Sequence, residues 1–145
     1  MHELADTLRG IVADAYTRMA MIGESEASAP LKDEGWSPKQ VIGHLIDSAC
    51  NNHQRFVRFA LSSGVVSPGY QQAEWVEVQQ YAARPWLELL ELWSAYNRHV
   101  AHVIASVPAR CLPNQGSVAG GPVTLQFLME DYVAHLQHHL RSILR

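Results

Sequence analysis

The chain has 145 residues, of which 48% are hydrophobic and 17% are charged, a composition typical of one compact domain with a single buried core. Its 11 basic and 14 acidic residues give a formal charge of −3 and are scattered along the sequence, which argues against nucleic-acid binding. No apolar run approaches the roughly 20 residues that span a bilayer, and the N-terminal sequence lacks an apolar signal core. We therefore expect one cytoplasmic domain over residues 1–145 that does not bind membranes.

The first two long helices are predicted from apolar spacing and from capping residues. Residues 2–22 carry apolar side chains at helical intervals. After a polar connector, Ser37 is a suitable N-cap, Pro38 suits the first helical position, and Gln40 completes a capping box. This second helix is expected to end near residues 62–64, where two serines and a glycine follow one another.

Two further long helices follow. The connector after the second helix contains a short predicted helix around residues 73–81. Pro85 opens the third long helix and Pro108 closes it, while Thr124 is a plausible N-cap for the last one. No strand-like alternation of useful length appears, so the pattern predicts an all-α four-helix bundle. The long connectors make an overhand crossover feasible, and the pattern leaves the topology open.

The placement of the eight histidines is the most informative feature of the sequence. His135 and His139 are four residues apart on the last helix, so their side chains point about 40° apart from adjacent turns. Such a pair can chelate one metal ion. Three protein nitrogens are a common catalytic ligand set, and His44, at the edge of the apolar face of the second helix, is the best candidate for the third. Paired histidines on a helix nevertheless more often reflect packing than ligation.

Polar residues extend from His44 along the same edge of the second helix, which indicates a lined cavity. They include Ser48, Asn51, Asn52 and Arg55, of which Asn51 or Arg55 could orient an anionic group. Asn97 falls within the apolar stripe of the third helix and could add to that cavity.

Two aspartates and the remaining histidines complete the set of candidates. Asp47 lies one turn from His44 and Asp131 lies one turn from His135, so each could hold a ligand's second ring nitrogen by a hydrogen bond. The alternative is that both aspartates are solvated. The other histidines are interpreted as non-ligands from their positions around the helices: His2, His53, His99, His102 and His138.

Other chemistries have weaker support. No Glu-x-x-His pair occurs, as a ferritin-like di-iron centre would require. The glycine pair near residue 120 matches neither a dinucleotide fingerprint nor a P-loop. The two cysteines, Cys50 and Cys111, are far apart in sequence, which argues against a structural disulfide or a cysteine-rich zinc site. Ser48 beside His44 is only weak evidence for a nucleophile and its base.

Two stretches of the sequence resemble a known family, the DinB/YfiT-like metalloenzyme superfamily. Residues 36–47 (WSPKQVIGHLID) resemble its second-helix motif, residues 131–140 (DYVAHLQHHL) resemble its fourth-helix motif, and residues 92–99 (LWSAYNRH) are similar to its third helix. The resemblance covers almost the whole chain. It implies an up-down-down-up bundle with one metal-binding histidine from helix two and two from helix four. The matching positions here are His44, His135 and His139.

The resemblance also implies a cofactor and a class of reaction. It implies one divalent metal ion, nickel or zinc first and iron or manganese as alternatives, with coordination positions left for water or substrate. Several members are thiol-dependent transferases or isomerases. We therefore expect activation of a low-molecular-weight thiol or of water for attack on a small electrophile, as in a thiol S-transferase or a hydrolase.

Two other functions remain open at this point. One is a non-catalytic helical bundle that binds a metal ion or a small ligand, and the other is a bundle with a purely structural metal, for which a closed shell of four ligands would be evidence. The resemblance further implies a homodimer and no nucleic-acid partner. No additional substrate domain is expected, so the more elaborate members are poor guides.

Overall fold

The computed structural model describes residues 1–32 and 35–145, and its framework is the predicted four-helix bundle. Two short helices, α2 (Glu24–Ala27) and α4 (Gln72–Val78), lie in the connectors. A 3-10 turn at Tyr81–Ala83 follows α4, so the short helix predicted around residues 73–81 is present in that region. The four long helices are α1 (His2–Met19), α3 (Pro38–Leu61), α5 (Trp86–Ser106) and α6 (Leu125–Ile143).

The predicted helix starts are confirmed by side-chain caps. The Ser37 hydroxyl accepts a hydrogen bond from the backbone N–H of Gln40, and the Gln40 side chain accepts one from the backbone N–H of Ser37, which forms the capping box at the start of α3. Thr124 accepts a hydrogen bond from the backbone N–H of Phe127 at the start of α6. These caps fix where α3 and α6 begin, and therefore which of their residues face each other.

The helices run up, down, down and up, as the resemblance implies. A side-chain nitrogen of Arg18, near the end of α1, donates to the carbonyl of Leu144 at 3.0 Å, so α1 and α6 end at the same end of the bundle. Shortly after α1, Glu24 contacts both Lys39 and the backbone N–H of Trp86. The helices α3 and α5 therefore both begin at that end and run antiparallel to α1. Long connectors make this topology feasible.

The connectors also contain a three-stranded sheet, which the sequence pattern did not predict. Its strands are β1 (Val65–Ser67), β2 (Gln115–Val118) and β3 (Gly121–Thr124), with β2 parallel to β1 and antiparallel to β3. Strands this short do not show the alternation that predicts a strand. The turn between β2 and β3 relies instead on positive φ angles at Ala119 (50°) and Gly120 (82°), as tight hairpin turns do.

The core of the bundle is built from large side chains on the facing helices. Trp86 and Trp93 of α5 and Phe56 and Phe59 of α3 are fully buried, and burial of each such side chain contributes about 1.5–3 kcal/mol. In α3, every residue from 41 to 49 is buried, including polar ones. This run places polar groups inside the bundle, where they require partners. Within the described residues, no helix is both long and apolar enough to cross a membrane.

Candidate metal centre

Three histidines from two helices converge at one point between α3 and α6. His44 is 1% exposed, while His135 and His139 are half-buried on successive turns of α6. The Nε2 atom of His135 lies 3.4 Å from that of His44 and 3.1 Å from that of His139. Each residue offers one ring nitrogen, and these nitrogens all lie within 4.8 Å of one another. Three nitrogens this close can ligate a single ion.

The rings of this triad meet edge to face rather than in a stack. Their centroids are 5.2 Å apart for His44 and His135, 4.8 Å for His44 and His139, and 4.6 Å for His135 and His139. The three interplanar angles lie between 72° and 77°. The indole of Trp36 packs against His44 with its ring centroid 5.5 Å away. The rings are therefore not stacked, and the short distances between their nitrogens define the common centre.

Burial keeps two of these imidazoles neutral. Burial, followed by the proximity of His139 and His135, lowers the pKa of His44 to about 4. Burial and the proximity of His139 likewise lower the pKa of His135, although the negative charge of Asp131 opposes the shift. Neutral imidazole is the form that binds metal. The Nδ1 atom of His44 is buried without a hydrogen-bond partner in the described structure, so that ring is oriented by packing and by the contact of its Nε2 atom with that of His135.

Asp47 does not have the role predicted for it, because its hydrogen bonds lead away from the histidines. Its Oδ1 atom accepts hydrogen bonds from the hydroxyl of Tyr81 at 2.7 Å and from the amide of Gln79 at 2.8 Å. Gly43 makes this possible, since a Cβ atom there would overlap the Tyr81 ring. Burial raises the pKa of Asp47, and the two donors oppose that rise. Asp47 therefore ties the segment after α4 to α3.

Asp131 has the exposed position of the alternative interpretation, whereas Asn97 differs from its predicted role. Asp131 is exposed and acts on His135 through its charge; no hydrogen bond between them is found in the described structure. Asn97 is fully buried, donates to the carbonyl of Trp93 at 2.9 Å, and accepts from the hydroxyl of Tyr132. Both ends of its amide are thus used within the core, so the expectation that it lines a cavity was wrong.

The polar strip of α3 is present, but it is covered by the connector that follows the helix. Asn51 donates to the carbonyl of Asp47 and Asn52 to that of Ser48, each at 2.9 Å. Tyr70 is hydrogen-bonded to Ser48, and burial raises its pKa to about 12. Farther along the strip, Asn51 and Arg55 line a cavity that contains none of the three histidines.

The histidines interpreted as non-ligands lie outside the triad. His53, His99 and His102 form a second group, which we call the surface histidine cluster. Its first two rings have centroids 4.9 Å apart, and the Nδ1 atom of His53 lies 3.0 Å from the hydroxyl of Tyr96. His138 is exposed beside His139. Of the described residues, only the triad brings three potential ligands together.

Sequence reasoning missed the residues that support α3 around the site. Trp36 stands directly before the N-cap of α3, inside the motif that marked the family, and its position was the available signal. Tyr70, Gln79 and Tyr81 come from the connector between α3 and α5 and follow no pattern that predicts contact with α3. Their roles depend on how that connector packs.

The chain belongs to the DinB superfamily, whose family model matches residues 7–143. It is 22% identical to a proposed metal-dependent hydrolase of Geobacillus kaustophilus, over 99% of this chain and 82% of that protein. It is also 27% identical to the Bacillus subtilis protein YfiT, over 94% of this chain and 78% of YfiT.

Solved structures show the same fold. The structure of YfiT, described as a probable metal-dependent hydrolase with an unusual four-helix bundle topology, superimposes with a TM-score of 0.81 over 97% of this chain and 82% of that one. A mycothiol-dependent maleylpyruvate isomerase superimposes with a TM-score of 0.78 at 12% identity, over 98% of this chain and 60% of the isomerase. The resemblance read from the sequence is thereby confirmed, and so is the bundle topology.

Proposed function

We propose that His44, His135 and His139 bind one divalent metal ion and that the protein is a metal-dependent enzyme acting on a small molecule. The observation that supports this most strongly is the convergence of three ring nitrogens within 4.8 Å. Two further observations agree with it. Burial holds His44 and His135 in the neutral form that ligates metal, and several members of the family carry names that include metal dependence.

Held by His44, His135 and His139, a divalent metal ion would lower the pKa of a thiol or a water molecule and so supply the nucleophile for attack on a small electrophile. The chain contributes the geometry. Three imidazoles leave coordination positions for an exchangeable group, unlike the closed shell of four ligands in structural zinc sites. Trp36 packs on the buried His44 and limits water on that side. Imidazole ligands suit zinc, nickel and iron; nickel or zinc stays the first expectation from the family resemblance, with iron or manganese as alternatives.

Thiol transfer and hydrolysis are both compatible with this site. The names of the relatives favour hydrolysis, and the isomerase with the same fold favours a low-molecular-weight thiol. A homodimer and a cytoplasmic location stay predictions of the sequence.

The test is to purify the protein without an affinity tag, measure its metal content, and assay it with two substrate classes. We expect about one equivalent of metal, and either metal-dependent consumption of thiol with an aryl halide or hydrolysis of an activated ester. His44→Ala should lose both the metal and the activity, whereas His99→Ala in the surface histidine cluster should keep both. Stoichiometric metal without either activity would contradict the enzymatic proposal and favour a non-catalytic metal-binding bundle. Equal metal in His44→Ala and the unsubstituted protein would refute the site itself.

A further inference from the structure

Arg55 is a buried cation without an anionic partner. Two charged amines or guanidiniums are buried in the described structure, Lys39 at 4% exposure and Arg55 at 9%. Lys39 is paired with the carboxylate of Glu24. Arg55, in contrast, has no carboxylate within ion-pair distance among the described residues. Buried charges are usually paired, because removing them from water is costly. Arg55 therefore lacks the type of partner that its environment requires.

The contacts that hold Arg55 are neutral. Its Nε atom donates to the hydroxyl of Ser67 at 3.2 Å and an Nη2 hydrogen to the carbonyl of Pro68 at 3.1 Å. These bonds fix the orientation of the guanidinium without cancelling its charge. A guanidinium has five N–H donors, so several remain for another acceptor. The donors of a guanidinium form a planar fork. Carboxylates and phosphates match the geometry of that fork.

The residues around Arg55 line a cavity that also favours an anionic group. The cavity has a volume of about 280 Å³ and lies between α3 and β1. Its α3 wall carries a second guanidinium, Arg58, and the amides of Asn51 and Gln54, and no carboxylate is among its lining residues. The volume is just below the range of about 300–1,000 Å³ that is typical of small-molecule sites. A single anionic group of a small molecule fits this charge and size.

The cavity and the triad lie on the same face of one helix. Arg55 follows His44 by eleven residues, which corresponds to about 20° of rotation and on the order of 16 Å along the axis of α3. Ser48 and Asn51 lie between them on that face, and Tyr70 covers this strip by its hydrogen bond to Ser48. Because Tyr70 covers the strip between the two sites, an elongated molecule that reached both of them would displace this side chain.

We propose that the cavity beside Arg55 binds the carboxylate or phosphate group of an elongated small molecule whose reactive end reaches the triad. Binding of the anion follows from the unpaired guanidinium and its cavity. The second half, that this molecule is the substrate or the thiol of the reaction, rests on the proposed function. The two halves can be tested separately.

The test uses inorganic phosphate and succinate as probes, measured by calorimetry on the metal-loaded protein. We expect saturable binding of at least one of them, weakened by about tenfold or more in Arg55→Met and by a smaller factor in Arg58→Met. The result with the two probes identifies the anionic group as phosphate or carboxylate. Arg110→Met, which removes an exposed arginine outside the cavity, should bind as the unsubstituted protein does.

The controls distinguish failure of this inference from failure of the proposed function. His44→Ala should lose metal and keep the anion, whereas Arg55→Met should keep metal and lose the anion. Binding of neither probe to the unsubstituted protein would overturn the inference and leave the metal site intact. An equal loss of binding in Arg110→Met would also overturn it, because the attraction would then be non-specific. If Arg55→Met does not fold, Arg58→Met carries the test, and unchanged affinity there would count against the cavity.

Discussion

The triad and the surface histidine cluster show what separates a candidate metal site from a group of neighbouring histidines. Both contain rings paired across two helices at similar distances, 5.2 Å for His44 and His135 in the triad and 4.9 Å for His53 and His99 in the surface histidine cluster. Both also contain a pair on one helix. In the triad that pair is edge to face at 4.6 Å, whereas His99 and His102 lie nearly parallel at 6.3 Å.

The comparison shows that helical spacing alone brings two histidines together. Burial and a second helix are needed to bring three ring nitrogens to one point. A spacing of four residues brings His135 and His139 to nearly the same direction, while His99 and His102 are three residues apart and lie on an exposed surface. Exposed side chains also lose more rotamer freedom when they are fixed around an ion. The Nδ1 atom of His53 is already engaged by Tyr96. The surface histidine cluster thus lacks a preformed site.

The largest expected effect is on metal binding when a triad residue is compared with its surface counterpart. His135→Ala removes one of the three ligands and should weaken metal affinity by more than about 100-fold, since changes to groups that merely support ligands already cost 10–100-fold. His99→Ala should leave the affinity unchanged. Elemental analysis after exhaustive dialysis, followed by competition with a chelator, measures both. A comparable loss in the two variants would remove the distinction between the clusters.

Much of this architecture could be predicted because it depends on local patterns. The caps at Ser37 and Thr124 mark helix starts through contacts within three residues. The pair on α6 follows from helical periodicity. The choice of His44 as the third ligand rested on its position at the edge of the apolar face of α3, and the family motif agreed with that choice. Sequence therefore predicted the convergence that the structure shows.

The incorrect predictions concern side chains whose partners are distant in sequence. Helical position alone assigned Asp47 to His44, but its actual partners come from the connector after α4, 32 and 34 residues later. Asn97 was predicted to line a cavity, whereas in the structure it accepts a hydrogen bond from Tyr132 of α6 within the core. A polar residue buried in a bundle forms hydrogen bonds with the polar groups that packing brings next to it. No local sequence pattern specifies which groups these are.

A smaller effect is expected from Asp47, which supports α3 near the triad by accepting hydrogen bonds from Tyr81 and Gln79. Asp47→Ala leaves the Tyr81 hydroxyl and the Gln79 amide without their acceptor and should lower the free energy of unfolding by about 1–3 kcal/mol. Asp47→Asn retains an Oδ1 acceptor and should be close to neutral. Urea denaturation at pH 7 compares them, and equal losses in the two variants would contradict this account of the hydrogen bonds.

The same pair of variants has a defined pH dependence. Because burial raises the pKa of Asp47 above its ordinary value of 3.8, the folded protein binds a proton more tightly there than the unfolded chain does. The free energy of unfolding should therefore fall as pH rises from below 3.8 through the raised pKa. Asp47→Asn lacks this group, so its decline over that window should be shallower. A steeper decline in the variant would show that the sign of the shift is wrong.

The smallest effect is expected at the surface histidine cluster, where Tyr96→Phe removes the hydroxyl beside His53. That hydrogen bond is partly exposed, so water can replace it and the free energy of unfolding should fall by no more than about 0.5–1 kcal/mol. Tyr132→Phe is the matched control. Its hydroxyl is buried against Asn97, whose acceptor would stay unsatisfied, and a loss of about 1–3 kcal/mol is expected there. Metal affinity should not change in Tyr96→Phe, because the surface histidine cluster shares no ligand with the triad; a drop in affinity would mean that the two histidine groups are coupled through α3.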